Sequence, residues 1–222
     1  MTALFKLSIN KKHIDSAPPI ICITGTSTGI GKTVFTGLLA KEVGKKKSVI
    51  TQKWVQSGDL DAPDIHTHDR LSLARIDSKW SVDRQVYSFK TAVSPHLAAK
   101  LENTDIQPEQ LKNATQRLSD AFDVVLIETS GGIMVPIQGA VTTGDIVSEM
   151  EVPTIVVIPN VLGCINHALL TLDYLMQKNI PILGFIMNQF DGSVSEMHRD
   201  NPTIITKISG VQQIGEITPS II

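Results

Sequence analysis

Cysteine is scarce in this chain. Cys22 and Cys164 are its two thiols, too few for a disulfide framework, and they fit a reducing compartment. No apolar run reaches the roughly 18 residues that a membrane helix needs. The N-terminal stretch 1–19 carries Lys6, Lys11 and Lys12 but lacks a long apolar segment and a small-residue cleavage site. It reads as a frayed leader, or a short extra strand at 4–9, rather than a secretory signal. Neither sign of charge dominates: 20 Lys+Arg against 22 Asp+Glu give a formal net charge of -2. Such a surface has no global field to attract nucleic acid. Internal repeats and low-complexity linkers are also missing. The expectation is a cytoplasmic protein with neither a nucleic-acid nor a membrane partner.

What remains is ordinary globular material. The 222 residues, 42% hydrophobic and 19% charged, suit one domain with a substantial core. Short β-branched apolar runs at 20–24, 48–53, 123–128, 154–159, 182–188 and 213–217 read as strands. Ile-Ile-Cys-Ile, Val-Val-Leu-Ile and Ile-Val-Val-Ile are apolar throughout, the pattern of strands covered on both faces. Helical stretches lie between them at 31–44, 69–76, 95–102, 108–121, 144–151, 165–178 and 202–208. Pro108 and Pro202 are placed in first helical turns, where proline is tolerated. The alternation predicts an α/β, doubly wound, mainly parallel sheet with helices on both faces.

The most specific feature is Gly25-Thr-Ser-Thr-Gly-Ile-Gly-Lys-Thr33, directly after an apolar strand and opening a helix. Backbone N–H groups of such a loop converge on phosphate oxygens, and the helix N-terminus adds positive potential. Lys32 can reach the β- and γ-phosphates, and the Thr33 hydroxyl can ligate Mg²⁺. Five residues separate Gly25 from Gly31, one more than the usual spacing. Residues 20–222 are therefore expected to form a single domain that binds ATP or GTP, with 1–19 as the leader. Ligands in open α/β sheets sit beyond the carboxyl ends of the strands, so polar residues there come next. Glu128 ends one apolar run and suits a Mg²⁺ ligand. Lys53, taken to end the second strand, points at the same crevice. Asp64 and Asp69 compete for a further metal position, and Asp69 is preferred because it is taken to start a helix. His66 and His68 flank that stretch. A zinc site there lacks a third ligand, and exposure is the expectation for both. Cys22 and Cys164 read as small buried hydrophobes.

These residues, taken together, resemble the dethiobiotin synthetase family over nearly all of 20–219. The blocks are the loop 25–33; Lys-x-Val-Gln-Ser-Gly at 53–58; Val-Ser-Pro-His-Leu-Ala-Ala at 93–99; the acidic strand and glycine loop at 124–136; Leu-Gly-Cys-Ile-Asn-His-Ala at 162–168; and Gly-Glu-Ile at 215–217. The resemblance implies a P-loop NTPase-like fold and ATP- and Mg²⁺-dependent carboxylation of 7,8-diaminononanoate with CO₂, closing a ureido ring. It implies that Lys53 orients the diamine, with Lys32 and Thr28 at the reacting centre. Gly29, Ile30, Gly31, Lys32, Thr33 and Val34 would surround the phosphates, with Glu128, Thr129, Ser130 and Gly131 across from them. Thr33, Asp69 and Glu128 would hold Mg²⁺. Asn188, Gln189 and Pro219 would meet the adenine. Ser57 would contact the diamine, and Gly163, Cys164, Ile165 and Asn166 would receive its carboxylate from the other subunit of a homodimer.

The chain departs from the family pattern in places. Ser27 and Gly29 stand where Asp and Glu are usual, Trp54 follows the lysine in place of Pro, and Thr129-Ser130 replace Gly-Ala. Thr218 separates Ile217 from Pro219, and the sequence stops at Ile222 without the usual tail. One rival reading is a switch-type ATPase of the partitioning class. That class places a second lysine early in its loop, where this chain has Thr26, Ser27 and Thr28. An amidotransferase of the same fold would need a glutamine-handling domain, for which there is no room. A degenerate family member is a milder alternative.

Overall fold

A computed structural model describes residues 4–58, 60–190 and 195–220; positions 1–3 of the expected leader lie outside them. In chain order the elements begin with β1 (Leu4–Ile9), α1 (Lys11–Asp15), β2 (Ile20–Gly25), α2 (Lys32–Val43), β3 (Val49–Ser57) and α3 (Pro63–Ser72). A short α4 (Ser81–Arg84) leads into β4 (Gln85–Phe89), followed by α5 (Pro95–Leu101), α6 (Pro108–Ala121) and β5 (Val124–Glu128). Then come β6 (Pro136–Gln138), β7 (Val141–Thr142), α7 (Thr143–Glu149), β8 (Thr154–Pro159), α8 (Cys164–Gln177), β9 (Ile182–Asn188), α9 (Glu196–Ser209) and β10 (Gln213–Ser220).

Eight strands make one sheet in the order β1-β10-β9-β8-β2-β5-β3-β4, while β6 and β7 form a separate hairpin. Every neighbouring pair in the main sheet is parallel except β1 with β10. The segment 4–9 is thus an added edge strand, matched Phe5 to Pro219 and Leu7 to Ile217. β2 lies at the centre, where the winding reverses, so its carboxyl end opens onto the crevice between β5 and β8.

Side chains on a strand alternate between faces, and here both faces are covered. Val124 and Leu126 enter the core that holds Phe35 and Leu39 of α2. Val125 and Ile127 enter the other, with Leu111 and Leu118 of α6. Ile155 and Val157 of β8 alternate with Val156 and Ile158 in the same way. That is why these runs are uniformly apolar. Cys22 and Cys164 are buried among them, and burial pushes the Cys22 thiol up to about 12.

The structure corrects several boundaries. β3 runs on to Ser57, so Lys53 is interior to the strand, not its last residue. α3 begins at Pro63, with proline in its first turn, and stops at Leu73, whose φ is 60°; it does not begin at Asp69. β4 and the β6–β7 hairpin were not expected, and β10 reaches Ser220. Pro202 lies inside α9 rather than in its first turn. A proline there removes the N–H that would bond the carbonyl of His198. Asn160 Nδ2 donates to that carbonyl at 2.9 Å instead, and Asn160 Oδ1 accepts from Asn201 Nδ2 at 2.7 Å. No helix among the described residues is long and apolar enough to cross a membrane.

Candidate active site

The loop after β2 curls over the N-terminus of α2. Gly31 precedes the helix with φ 94°, a left-handed conformation that favours glycine. A side chain there would also strike the amide of Asn188 at the end of β9. Asn188 Nδ2 donates to the Ile30 carbonyl at 2.9 Å and so fixes the loop from behind. Lys32 folds back across it, and Nζ donates to the Ser27 carbonyl at 2.8 Å. Burial, joined by the nearby charge of Lys53, brings the Lys32 ammonium down to about 8. Among the described residues this cation has no carboxylate ion-paired to it, and it stands at a helix N-terminus, which is the arrangement an incoming polyphosphate would complete.

A second cluster lies beside it. β3 and β5 are neighbours in register, with Lys53 opposite Glu128. Lys53 Nζ lies 2.8 Å from Glu128 Oε1 and 2.8 Å from Asp64 Oδ2, and donates to the Thr129 carbonyl at 3.3 Å. Thr33 Oγ1, in the first turn of α2, is 3.0 Å from both Asp64 Oδ1 and Glu128 Oε1. His68 Nε2 meets the other Glu128 oxygen, Oε2, at 2.6 Å. Burial works to raise the Glu128 carboxyl, but Lys53 and His68 outweigh it and hold the group well below the usual carboxylate range. Burial likewise works to lower Lys53, and the charges of Glu128 and Asp64 outweigh it, so Lys53 is raised.

Helix α3 delivers two of these groups. Asp64 and His68 are four residues apart, on one face of the helix. Gly37 of α2 lets that face come close: a β-carbon there would sit 2.8 Å from Leu71 Cβ. His68 is fully buried, contrary to the exposure expected for it, while His66 is exposed. Asp69, the preferred metal acid, is turned away. Arg84 grips it at 2.5 and 2.9 Å and also bonds the Thr51 carbonyl and hydroxyl. Asp64 is the acid brought to Thr33 and Glu128. The Asp64–His68 pairing was legible as an i, i+4 spacing, but only with the helix started at Pro63.

The oxygens of Thr33, Asp64 and Glu128 are the hard donors Mg²⁺ takes when phosphate and water fill its other positions. They fit that ion. Among the described residues no three His, Cys, Asp or Glu side chains gather as a metal cage.

Beyond the cluster opens a cavity of about 460 Å³. Thr28, Lys53, Ser57, Ser94 and Ser130 give it a polar wall, and Ala92, Val93, Pro95 and Val135 an apolar one. The two residues that depart from the family's glycine loop have defined partners. Thr129 Oγ1 bonds Thr24 Oγ1 at 3.2 Å and the Gly131 carbonyl at 3.0 Å, and Ser130 Oγ donates to the Val55 carbonyl. Gly29 and Val34 lie in the loop and first helical turn. Asn188, Gln189 and Pro219 lie on the neighbouring β9 and β10 side, where Gln189 N–H donates to the Ile217 carbonyl. Gly163, Cys164, Ile165 and Asn166 start α8 and do not line the cavity of the single chain.

Comparison with known proteins agrees with this architecture. Residues 20–221 match the family model described as an AAA domain. An ATP-dependent dethiobiotin synthetase BioD of Brachyspira hyodysenteriae is 36% identical over 208 residues, covering 91% of this chain and 93% of that protein. One from Lysinibacillus sphaericus is 38% identical and covers 81% of this chain and 78% of its own length. Among solved structures, a ParA family ATPase from Chlorobium tepidum superposes with a TM-score of 0.56 at 14% identity, covering 90% of this chain and 83% of that one. The MinD cell division protein of Aquifex aeolicus gives 0.52 at 15%, covering 89% and 80%. At such identities the last two show the P-loop α/β fold alone.

Proposed function

The chain belongs to the ATP-dependent dethiobiotin synthetase family, and we propose that its chemistry runs at the junction of the phosphate loop, the Lys53–Asp64–Glu128 cluster and the adjoining cavity. The observation that carries this is the convergence of Thr33, Lys53, Asp64 and Glu128 within 2.8–3.0 Å, with Lys53 and Asp64 lining the adjoining cavity. The protein is a dethiobiotin synthetase, a cyclo-ligase that joins 7,8-diaminononanoate and CO₂ at the expense of ATP.

In this reading one amine of the diamine attacks CO₂ and loses a proton, giving a carbamate. A carbamate oxygen attacks the γ-phosphorus of ATP and ADP leaves. The second amine then attacks the carbonyl carbon, phosphate departs, and the ureido ring is closed. The backbone N–H groups of residues 29–34 cradle the phosphates, and Lys32 moves from the Ser27 carbonyl to the β- and γ-phosphates. Lys53 lies between cluster and cavity, where it can orient the carbamate and offset charge as the γ-phosphoryl group transfers. Thr28 and Ser57 line the same cavity and bond the diamine and its carbamate. Thr33, Asp64 and Glu128 would hold Mg²⁺. When bound, that ion neutralises phosphate charge. Pre-positioned charges of this kind act in a closed site, where they count for far more than in water. Asn188, Gln189 and Pro219 meet the adenine. Residues 163–166 receive the diamine's carboxylate at the start of α8 in a partner subunit, since helix N-terminal amides favour an anion. This makes the working unit a homodimer.

The test is ADP release from Mg²⁺-ATP and bicarbonate, with and without 7,8-diaminononanoate, and with the product examined by mass spectrometry. Diamine-dependent release with dethiobiotin is the expected result, and Lys53→Ala abolishes it while circular dichroism shows the fold retained. Release indifferent to diamine would overturn the reading in favour of a switch-type ATPase.

A further inference from the structure

Glu128 is gripped at both oxygens, and the two grips differ. Oε1 faces Thr33 and Lys53 at 3.0 and 2.8 Å. Oε2 faces His68 Nε2 at 2.6 Å, away from the phosphate loop's hydroxyl. Glu128 is 1% exposed and His68 fully buried, so water cannot readily replace that bond. A carboxylate only accepts, which puts the hydrogen on Nε2. Among the described residues Nδ1 finds no hydrogen-bond partner. The imidazole is thus committed to Glu128 by one nitrogen alone. Its backbone is wedged against Gly37 of α2, the helix that also carries Thr33.

From this geometry we infer that His68 is a positioning residue: it occupies Glu128 Oε2 so that Oε1 alone is offered to the divalent ion that accompanies ATP. This rests on Glu128 being a ligand of that ion, as proposed above. A ligand held from behind loses no rotational freedom when the ion arrives, and groups that orient ligands this way typically account for about 10- to 100-fold in metal affinity or activity. One oxygen per carboxylate also suits Mg²⁺, whose octahedral shell leaves room for phosphate and water, better than a bidentate grip would.

The experiment measures ATP binding by calorimetry across a Mg²⁺ series, without diamine or bicarbonate, so turnover plays no part. The readout is the Mg²⁺ concentration that half-restores tight ATP binding. His68→Leu keeps the packing and loses the donor, and is expected to raise that midpoint about tenfold. His68→Gln keeps an amide N–H at the reach of Nε2, and should return it to within about threefold of the parent. His68→Asn reaches only to the Nδ1 position, where no described residue offers a hydrogen bond, and should behave like the leucine variant. Should His68→Leu not fold, the Gln–Asn pair carries the comparison. Equal midpoints for parent and His68→Leu, or for the Gln and Asn variants, would overturn the inference. Glu128→Gln separates the two levels. If it raises the midpoint and His68→Leu does not, the role of His68 alone fails; if it too changes nothing, Glu128 is no ligand and both readings fall.

Discussion

Two buried lysines meet at this site, each about 5% exposed, and their surroundings are opposite. Lys32, in the phosphate loop, has a carbonyl for company and is driven down to about 8 by burial and by its neighbour's charge. Lys53, in the acid cluster, lies 2.8 Å from each of two carboxylates and is driven up. The fold keeps one cation short of an anion and the other neutralised. In the proposed mechanism the first is the one that meets phosphate. The second holds two acids and a hydroxyl in place until the substrates arrive.

The sharpest way to break this comparison is to remove each charge with the same substitution. Lys53→Met leaves Glu128 and Asp64 without their cation, and breaking a buried pair costs about 3–5 kcal/mol. Urea unfolding of nucleotide-free protein should show a loss of that size, and turnover should fall on the order of 10²–10³-fold or more, as when a charge-stabilising donor is lost. A change under 1 kcal/mol would mean that the cluster is not the neutralised unit described.

Lys32→Met should move stability the other way while ending tight ATP binding. A lysine lowered from 10.5 to about 8 costs the folded state roughly 1–3 kcal/mol at neutral pH, after allowing for its lost bond to Ser27. The unfolded chain binds more protons between the two pKa values, so the parent protein gains stability as pH rises through that window. The methionine variant's advantage should therefore be full below pH 8 and shrink toward 10.5. An advantage unchanged across that range would remove the electrostatic explanation.

Ser130→Ala is the smallest test. Its hydroxyl joins the glycine loop to β3 through the Val55 carbonyl, a single neutral bond worth about 1 kcal/mol. Stability should drop by that much, with KM for the diamine shifted more than kcat because Ser130 lines the cavity. Parent-like values for both would show that this departure from the family pattern is inert.

Legibility in the sequence followed the range of the interactions. The phosphate loop was readable because Gly25 to Thr33 are contiguous and their backbone geometry is local. Glu128 was readable because it ends an apolar run. Asp69 reads as the favoured acid only when α3 is started at it, six residues past Pro63, which puts Asp64 and His68 in a loop and hides their common face. Pro202 is a similar case: a proline reads as a helix start unless something replaces the missing hydrogen bond, and Asn160 does so from just past β8, 42 positions back in the chain.

By itself, then, the sequence determined the sheet-forming runs, the parallel α/β class and the loop that meets phosphate, because hydrophobic periodicity and glycine placement act over a few residues. The tertiary structure alone decided which acid joins the lysine. Lys53 and Glu128 are 75 residues apart, and Thr33 and Asp64 31. Their meeting depends on β5 lying between β2 and β3, on a register that sets Lys53 opposite Glu128, and on a glycine in α2 that admits α3. No local pattern encodes a strand order or a helix–helix distance; these follow from packing two cores against one twisted sheet at once.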